Sequence, residues 1–183
     1  MSDKLALLVI DVQKGLDDPK YGQRNNPEAE KNIEKLIQFW RDHAQPLIHI
    51  QHASTEVNSP LRPDSDGFAI KSEAQPLTHE PLFVKNVNSA FIGTELESYL
   101  KNSGISKLVV VGLTTDHCVS TSVRMASNLG FTVTLVSDAT ATFERITIED
   151  EKISAEQMHN AHLASLHGEF CEVLNTQQVM QSF

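Results

Sequence analysis

Apolar residues run without a break over residues 5–10 ("LALLVI"), the pattern of a strand covered on both faces in a parallel sheet. The period then changes. In residues 27–43 ("PEAEKNIEKLIQFWRDH") Ile33, Leu36, Ile37 and Trp40 recur at helical spacing, and Pro27 suits a first turn. "PLIHIQH" (46–52) reads as a second strand. Residues 53–81 are rich in Pro, Ser, Asp and Thr and carry no sustained period, so they read as a long loop, functional or disordered. Strand signals resume at "LFVK" (82–85), followed by a helix over 93–104 that Gly104 stops. Next come a strand at 107–112, a helix over 116–128 with Gly130 beyond its end, and a strand at 131–139. A helix over 154–168 and a short strand, "EFCEVL" (169–174), close the pattern. Strands alternating with helices predict an α/β fold: three α-β-α layers around a Rossmann-like, mostly parallel sheet of about six strands, one domain over 1–183.

Charge narrows the partners. The 183 residues carry a formal net charge of -9, so no basic stripe is expected to neutralise nucleic-acid phosphates. The apolar run near the N-terminus is too short to span a bilayer and lacks a small-residue cleavage site, so neither a membrane segment nor a signal peptide is read there. Two cysteines, Cys118 and Cys171, form no CxxC pair and no disulfide framework, and the expected compartment is a reducing cytoplasm.

In an open parallel sheet, ligands bind beyond the carboxyl ends of the strands. Three of the predicted strands deliver ionisable groups there: "LLVID" ends on Asp11, "LFVK" ends on Lys85, and "LVVVGLTTDHC" passes through a turn into Cys118. Each has a plain alternative. Asp11 could cap a turn, Lys85 could be a solvated surface lysine, and Cys118 could be small apolar filler. Together they are what nucleophilic catalysis needs: a thiol, a carboxylate base and a cation in reach of both. The turn is similar to the strand–turn–helix elbow of other hydrolases. With Thr115 or Asp116 as N-cap, the first helical turn would lower the Cys118 pKa and lend backbone N–H groups to an oxyanion. Cys171, alternating with charged neighbours, reads as a packing residue.

"LLVIDVQKG", "VKNVNSAFIGTELESYL", "VVVGLTTDHCVSTSVRMASNLGFTVTLVSDATATF" and "HLASLHGEFCEVLNT" resemble the isochorismatase-like cysteine hydrolases, a group that includes nicotinamidases and N-carbamoylsarcosine amidohydrolases. The resemblance spans residues 5–176 and implies a triad of Asp11, Lys85 and Cys118. It also implies a non-proline cis peptide between Leu113 and Thr114, with the Thr114 and Cys118 N–H groups as an oxyanion hole. The implied reaction is hydrolysis of a small amide or ureide C–N bond through a thioester, rather than of the isochorismate vinyl ether, which needs no thiol. The implied assembly is a homo-oligomer, a dimer or tetramer.

One departure bears on metals. The Asp-x-His pair of the nicotinamidase metal site is missing from "PLIHIQHASTEVNSP"; His49 and His52, three apart, face opposite sides of a strand. No metal and no cofactor is therefore expected. Gln13, Phe91 and His52 are the expected substrate contacts. Lys71 and Arg62 are loop cations that could meet a substrate carboxylate or simply be solvated. His117 diverges from its neighbour Cys118 and is not read as a base, and His159, His162 and His167 read as packing or surface residues. Two other classes compete: an inactive scaffold that keeps the fold, and a redox protein that oxidises Cys118 but lacks a nearby resolving cysteine.

Overall fold

The computed structural model describes residues 4–182. Its elements run β1 (Lys4–Ile10), α1 (Ala29–Asp42), β2 (Leu47–His52), β3 (Leu82–Lys85), α2 (Leu96–Asn102), β4 (Ile105–Leu113), α3 (Ser120–Asn128) and β5 (Thr132–Ala141). They continue with β6 (Arg145–Ile146), β7 (Lys152–Ile153), α4 (Ala155–Leu166), β8 (Glu172–Leu174) and α5 (Thr176–Gln181). Six strands form one sheet in the order β3-β2-β1-β4-β5-β8, and every neighbouring pair in it is parallel. The expected α/β architecture is therefore observed.

Alternation along β1 divides the core. Ala6, Leu8 and Ile10 pack on one side with Leu96 and Leu100 of α2, Val123 of α3 and Leu166 of α4. Leu7 and Val9 pack on the other with Ile33, Leu36, Ile37 and Trp40 of α1 and Val179 of α5. Both faces of the sheet are thus dry, which is why its central strands read as unbroken apolar runs rather than alternating ones.

The strand order reverses at β1, which has β2 on one side and β4 on the other. The crevice at such a switch point is where an open α/β sheet binds ligands. Gly112 makes the approach of the two strands possible: a Cβ there would lie 2.0 Å from the Ile10 carbonyl oxygen, and its φ of 123° is one that side chains rarely adopt.

Three details differ from the sequence reading. The elbow helix does not start as an α-helix: Thr115–Val119 form a π-helical turn, with the Val119 N–H donating to the Thr114 carbonyl at 3.2 Å, and α3 begins only at Ser120. The β6–β7 hairpin and α5 are too short for a periodic signal. The 53–81 segment is tied down rather than free. Lys14 and Lys71 backbone N–H groups donate to Ala69 and Val12, both at 2.9 Å, stitching it to the turn after β1.

Candidate active site

The ends of β1, β2, β3 and β4 carry the site. Asp11 follows β1 with φ 51°, a left-handed conformation that Asp tolerates better than most residues, and its N–H donates to Ile50 at 3.0 Å. His52 and Lys85 are register partners at the ends of β2 and β3, so the two side chains leave the sheet side by side. Cys118 rises from the π-helical turn after β4.

Lys85 joins these groups. Its Nζ donates to Asp11 Oδ2 at 2.7 Å, to His52 Nδ1 at 3.1 Å and to Cys118 Sγ at 3.3 Å. The ion pair is fully enclosed, with side-chain exposures of 0% for Lys85 and 2% for Asp11. Asp11 Oδ1 is buried with no hydrogen-bond partner among the described residues. The three residues predicted from separate strand ends are therefore brought together, and neither Asp11 nor Lys85 is a solvated surface group.

The thiol differs from expectation. Burial pushes the Cys118 pKa well up, the Asp11 carboxylate adds to this, and Lys85 opposes without prevailing. No N-cap side chain supports the turn: Thr114 occupies the cap position without a capping bond. Asp116 instead accepts from the Thr142 hydroxyl at 2.5 Å and from Arg145 at 2.7 Å. Burial and the Asp11 carboxylate thus favour the thiol form of Cys118 over a preformed thiolate at a helix start. Cys171 lies in the core, and burial raises its thiol to about 11.

The pocket above the thiol has a volume of about 280 Å³. That is near the lower end of the roughly 300–1,000 Å³ of ligand sites, so it suits a small molecule. The 53–81 segment contributes Ser54, Glu56, Ser59 and Leu61 to its wall. Tyr21 and Phe143, stacked at 5.1 Å, form an aromatic side, and Arg145 and His117 a polar one. The peptide between Leu113 and Thr114 is cis, and both residues line the pocket.

Two of the expected substrate contacts are placed elsewhere. Gln13 is fully buried, and its amide is spent on backbone: Nε2 donates to His52 and Phe68 carbonyls at 3.0 and 2.9 Å, and Oε1 accepts from the His52 N–H at 2.9 Å. It clamps the end of β2 and does not line the pocket. Phe91 stacks on Phe131 at 6.0 Å inside the core. His52 does line the pocket. Tyr21, Phe143 and Arg145 were missed, because a pocket wall built from turns and a two-residue strand leaves no periodic trace. Asn88, three residues past Lys85, also lines the pocket and could have been found by the strand-end rule.

Of the loop cations, Arg62 pairs with Asp64 on the surface. Lys71 is buried, with Nζ 2.7 Å from Glu30 and 2.6 Å from Asp17. Burial pushes the Glu30 carboxyl up, but hydrogen bonds from Arg24 and Lys71 outweigh it and hold the pKa at about 2. Glu80 behaves alike: burial is outweighed by Arg41, the Leu77 N–H and His49, again leaving about 2. A depressed carboxyl contributes stability that is complete above its unfolded pKa and lost as pH falls through the folded one. Urea midpoints should therefore fall between pH 4.5 and 2. Glu30→Gln should flatten part of that fall, as measured by fluorescence-detected unfolding across the range.

Asp11, His52 and Cys118 offer ligand atoms within 4.8 Å of one another, a spacing at which they could share a metal ion. Lys85 Nζ is within hydrogen-bond distance of all three. The donor set already encloses a positive charge, and a divalent ion there would face the ammonium at close range. These residues do not fit a metal while Lys85 stays charged.

Among the described residues, no helix is long and apolar enough to cross a membrane. The Isochorismatase domain model matches residues 5–178. The uncharacterized isochorismatase family protein YrdC of Bacillus subtilis is 47% identical over 183 residues, covering 100% of this chain and 98% of that protein. Streptothricin hydrolase of Streptomyces noursei is 30% identical over 144 residues, 76% of this chain and 50% of the relative. A crystal structure of an isochorismatase-family protein from Chromobacterium violaceum superposes with a TM-score of 0.95 at 44% identity, covering 99% of this chain and 94% of that one.

Proposed function

Since the chain belongs to the isochorismatase family of hydrolases, we propose that it cleaves the C–N bond of a small amide or ureide through a thioester on Cys118. The observation that carries this reading is the position of Lys85 Nζ, buried and 2.7 Å from a carboxylate and 3.3 Å from a thiol. A relative named streptothricin hydrolase supports the reaction class.

In this reading Asp11 is the base. It takes the thiol proton as Sγ attacks the carbonyl carbon, and the buried oxygen Oδ1, which accepts no hydrogen bond from the other described residues, is free to receive it. Deprotonation and attack belong to one event, because the resting thiol is held protonated by burial and by Asp11 itself. Lys85 stabilises the negative charge as it moves from carboxylate to sulfur. The backbone N–H groups of Thr114 and Cys118 receive the oxyanion. Asp11 then passes the proton to the leaving nitrogen, and with water as the second nucleophile the same carboxylate serves as base again to release the acid.

The test is a panel of nicotinamide, N-carbamoyl amino acids, ureidoacrylate-like ureides and isochorismate, followed by released ammonia and intact mass. The expected result is ammonia from a C–N substrate with a transient acyl adduct on Cys118. Isochorismate turnover without an adduct, or ammonia release from a C–N substrate that persists in Cys118→Ala, would refute it.

A further inference from the structure

A lysine ammonium has three donor hydrogens and accepts nothing. Lys85 has three acceptors: Asp11 Oδ2, Cys118 Sγ and His52 Nδ1. The third requires a lone pair on Nδ1, so the ring proton of neutral His52 must sit on Nε2. The Val87 backbone opposes the lowering of the His52 pKa. Gln13 holds the His52 backbone from both sides, accepting from its N–H and donating to its carbonyl. The imidazole is thus fixed by backbone and ring alike.

We propose that His52 is a positioning residue for Lys85: its Nδ1 engages the third ammonium hydrogen and so aims the other two at Asp11 and the Cys118 sulfur. This goes beyond its expected role as a substrate contact, and it rests on the reading of Lys85 and Cys118 as a working pair. Four groups face the ring: Lys85 from β3, Asp11 from the end of β1, Glu56 from the segment after β2, and Cys118 from the elbow. Burial and Lys85 lower the His52 pKa, against Asp11 and Glu56, so the ring is neutral at pH 7. Protonation at lower pH would set a second cation 3.1 Å from the ammonium and remove the acceptor.

The readout is the rate at which iodoacetamide alkylates Cys118 between pH 5 and 10, followed by intact mass, with Cys118→Ala giving the Cys171 background. No substrate is needed. His52→Leu should react about tenfold more slowly at pH 8, because the ammonium that stabilises the thiolate is no longer held. His52→Asn offers an acceptor oxygen and should recover most of the rate. Equal slowing in both variants, or none in His52→Leu, overturns the proposal. Lys85→Met separates the two levels. If it slows alkylation and His52→Leu does not, only the His52 role falls; if it changes nothing, the Lys85–Cys118 reading falls as well. Nitrogen NMR of the His52 ring in the unaltered protein is the check that needs no variant: the proton belongs on Nε2, and a protonated Nδ1 at pH 7 refutes the proposal.

Discussion

Cys118→Ala should lower kcat by at least about 10⁴-fold while leaving the fold intact, since removal of a hydrolase nucleophile typically costs this much or more. The size of the effect follows from the chemistry. Without Sγ no covalent intermediate forms, and water would have to attack an unactivated amide in a pocket arranged around sulfur. Stability should change by less than about 1 kcal/mol, because Cys118 only borders the core cluster that Val119, Val123 and Ala126 fill. Measuring ammonia release and urea unfolding on the same preparation separates the two effects. Activity within tenfold of the parent would mean that Cys118 is not the nucleophile, however well it is placed. Cys118→Ser should not rescue the rate: a hydroxyl is far harder to deprotonate than the thiol, and Asp11 would have to supply the difference.

The second large effect concerns stability. Lys85→Met should destabilise the protein by about 3–5 kcal/mol, the usual consequence of leaving one partner of a buried ion pair unpaired. Asp11, 2% exposed, would keep its charge without a counterion or would have to bind a proton. In the double variant Lys85→Met/Asp11→Asn the orphaned charge is gone, and most of the lost stability should return. Both variants should be inactive. That combination, a double variant about as stable as the parent but without activity, would show that the ion pair serves the chemistry rather than the fold. If the double variant were as unstable as Lys85→Met, the pair would be structural. Urea denaturation of the four proteins of this cycle at pH 7 decides between the two.

The positions of Asp11, Lys85 and Cys118 were legible because each follows a recognisable strand. "LLVID", "LFVK" and "LVVVGLTTDHC" are apolar runs that stop on a polar group, and in a parallel sheet all such stops share one rim. Cys171 was legible for a different reason, its alternation with charged neighbours, which marks a core-facing residue. Gln13 and Phe91 were misplaced although they lie near Asp11 and Lys85 in sequence. Whether a side chain turns into a pocket or away from it depends on a backbone bend of a few residues. Asp11, at φ 51°, sends the following residues back under the 53–81 segment, and Gln13 goes with them.

Local sequence thus determined which elements form, which faces of them are dry, and which chemistry stands at the strand ends, because hydrophobic period and strand termination are properties of contiguous residues. Tertiary structure alone decided the rest. That Lys85 has three partners, that burial raises the thiol, and that Arg145 and Tyr21 wall the pocket all depend on segments far apart in the chain. Desolvation and hydrogen-bond partnership are set by what surrounds a group in space. The sequence order of those surroundings carries no record of the distance between them.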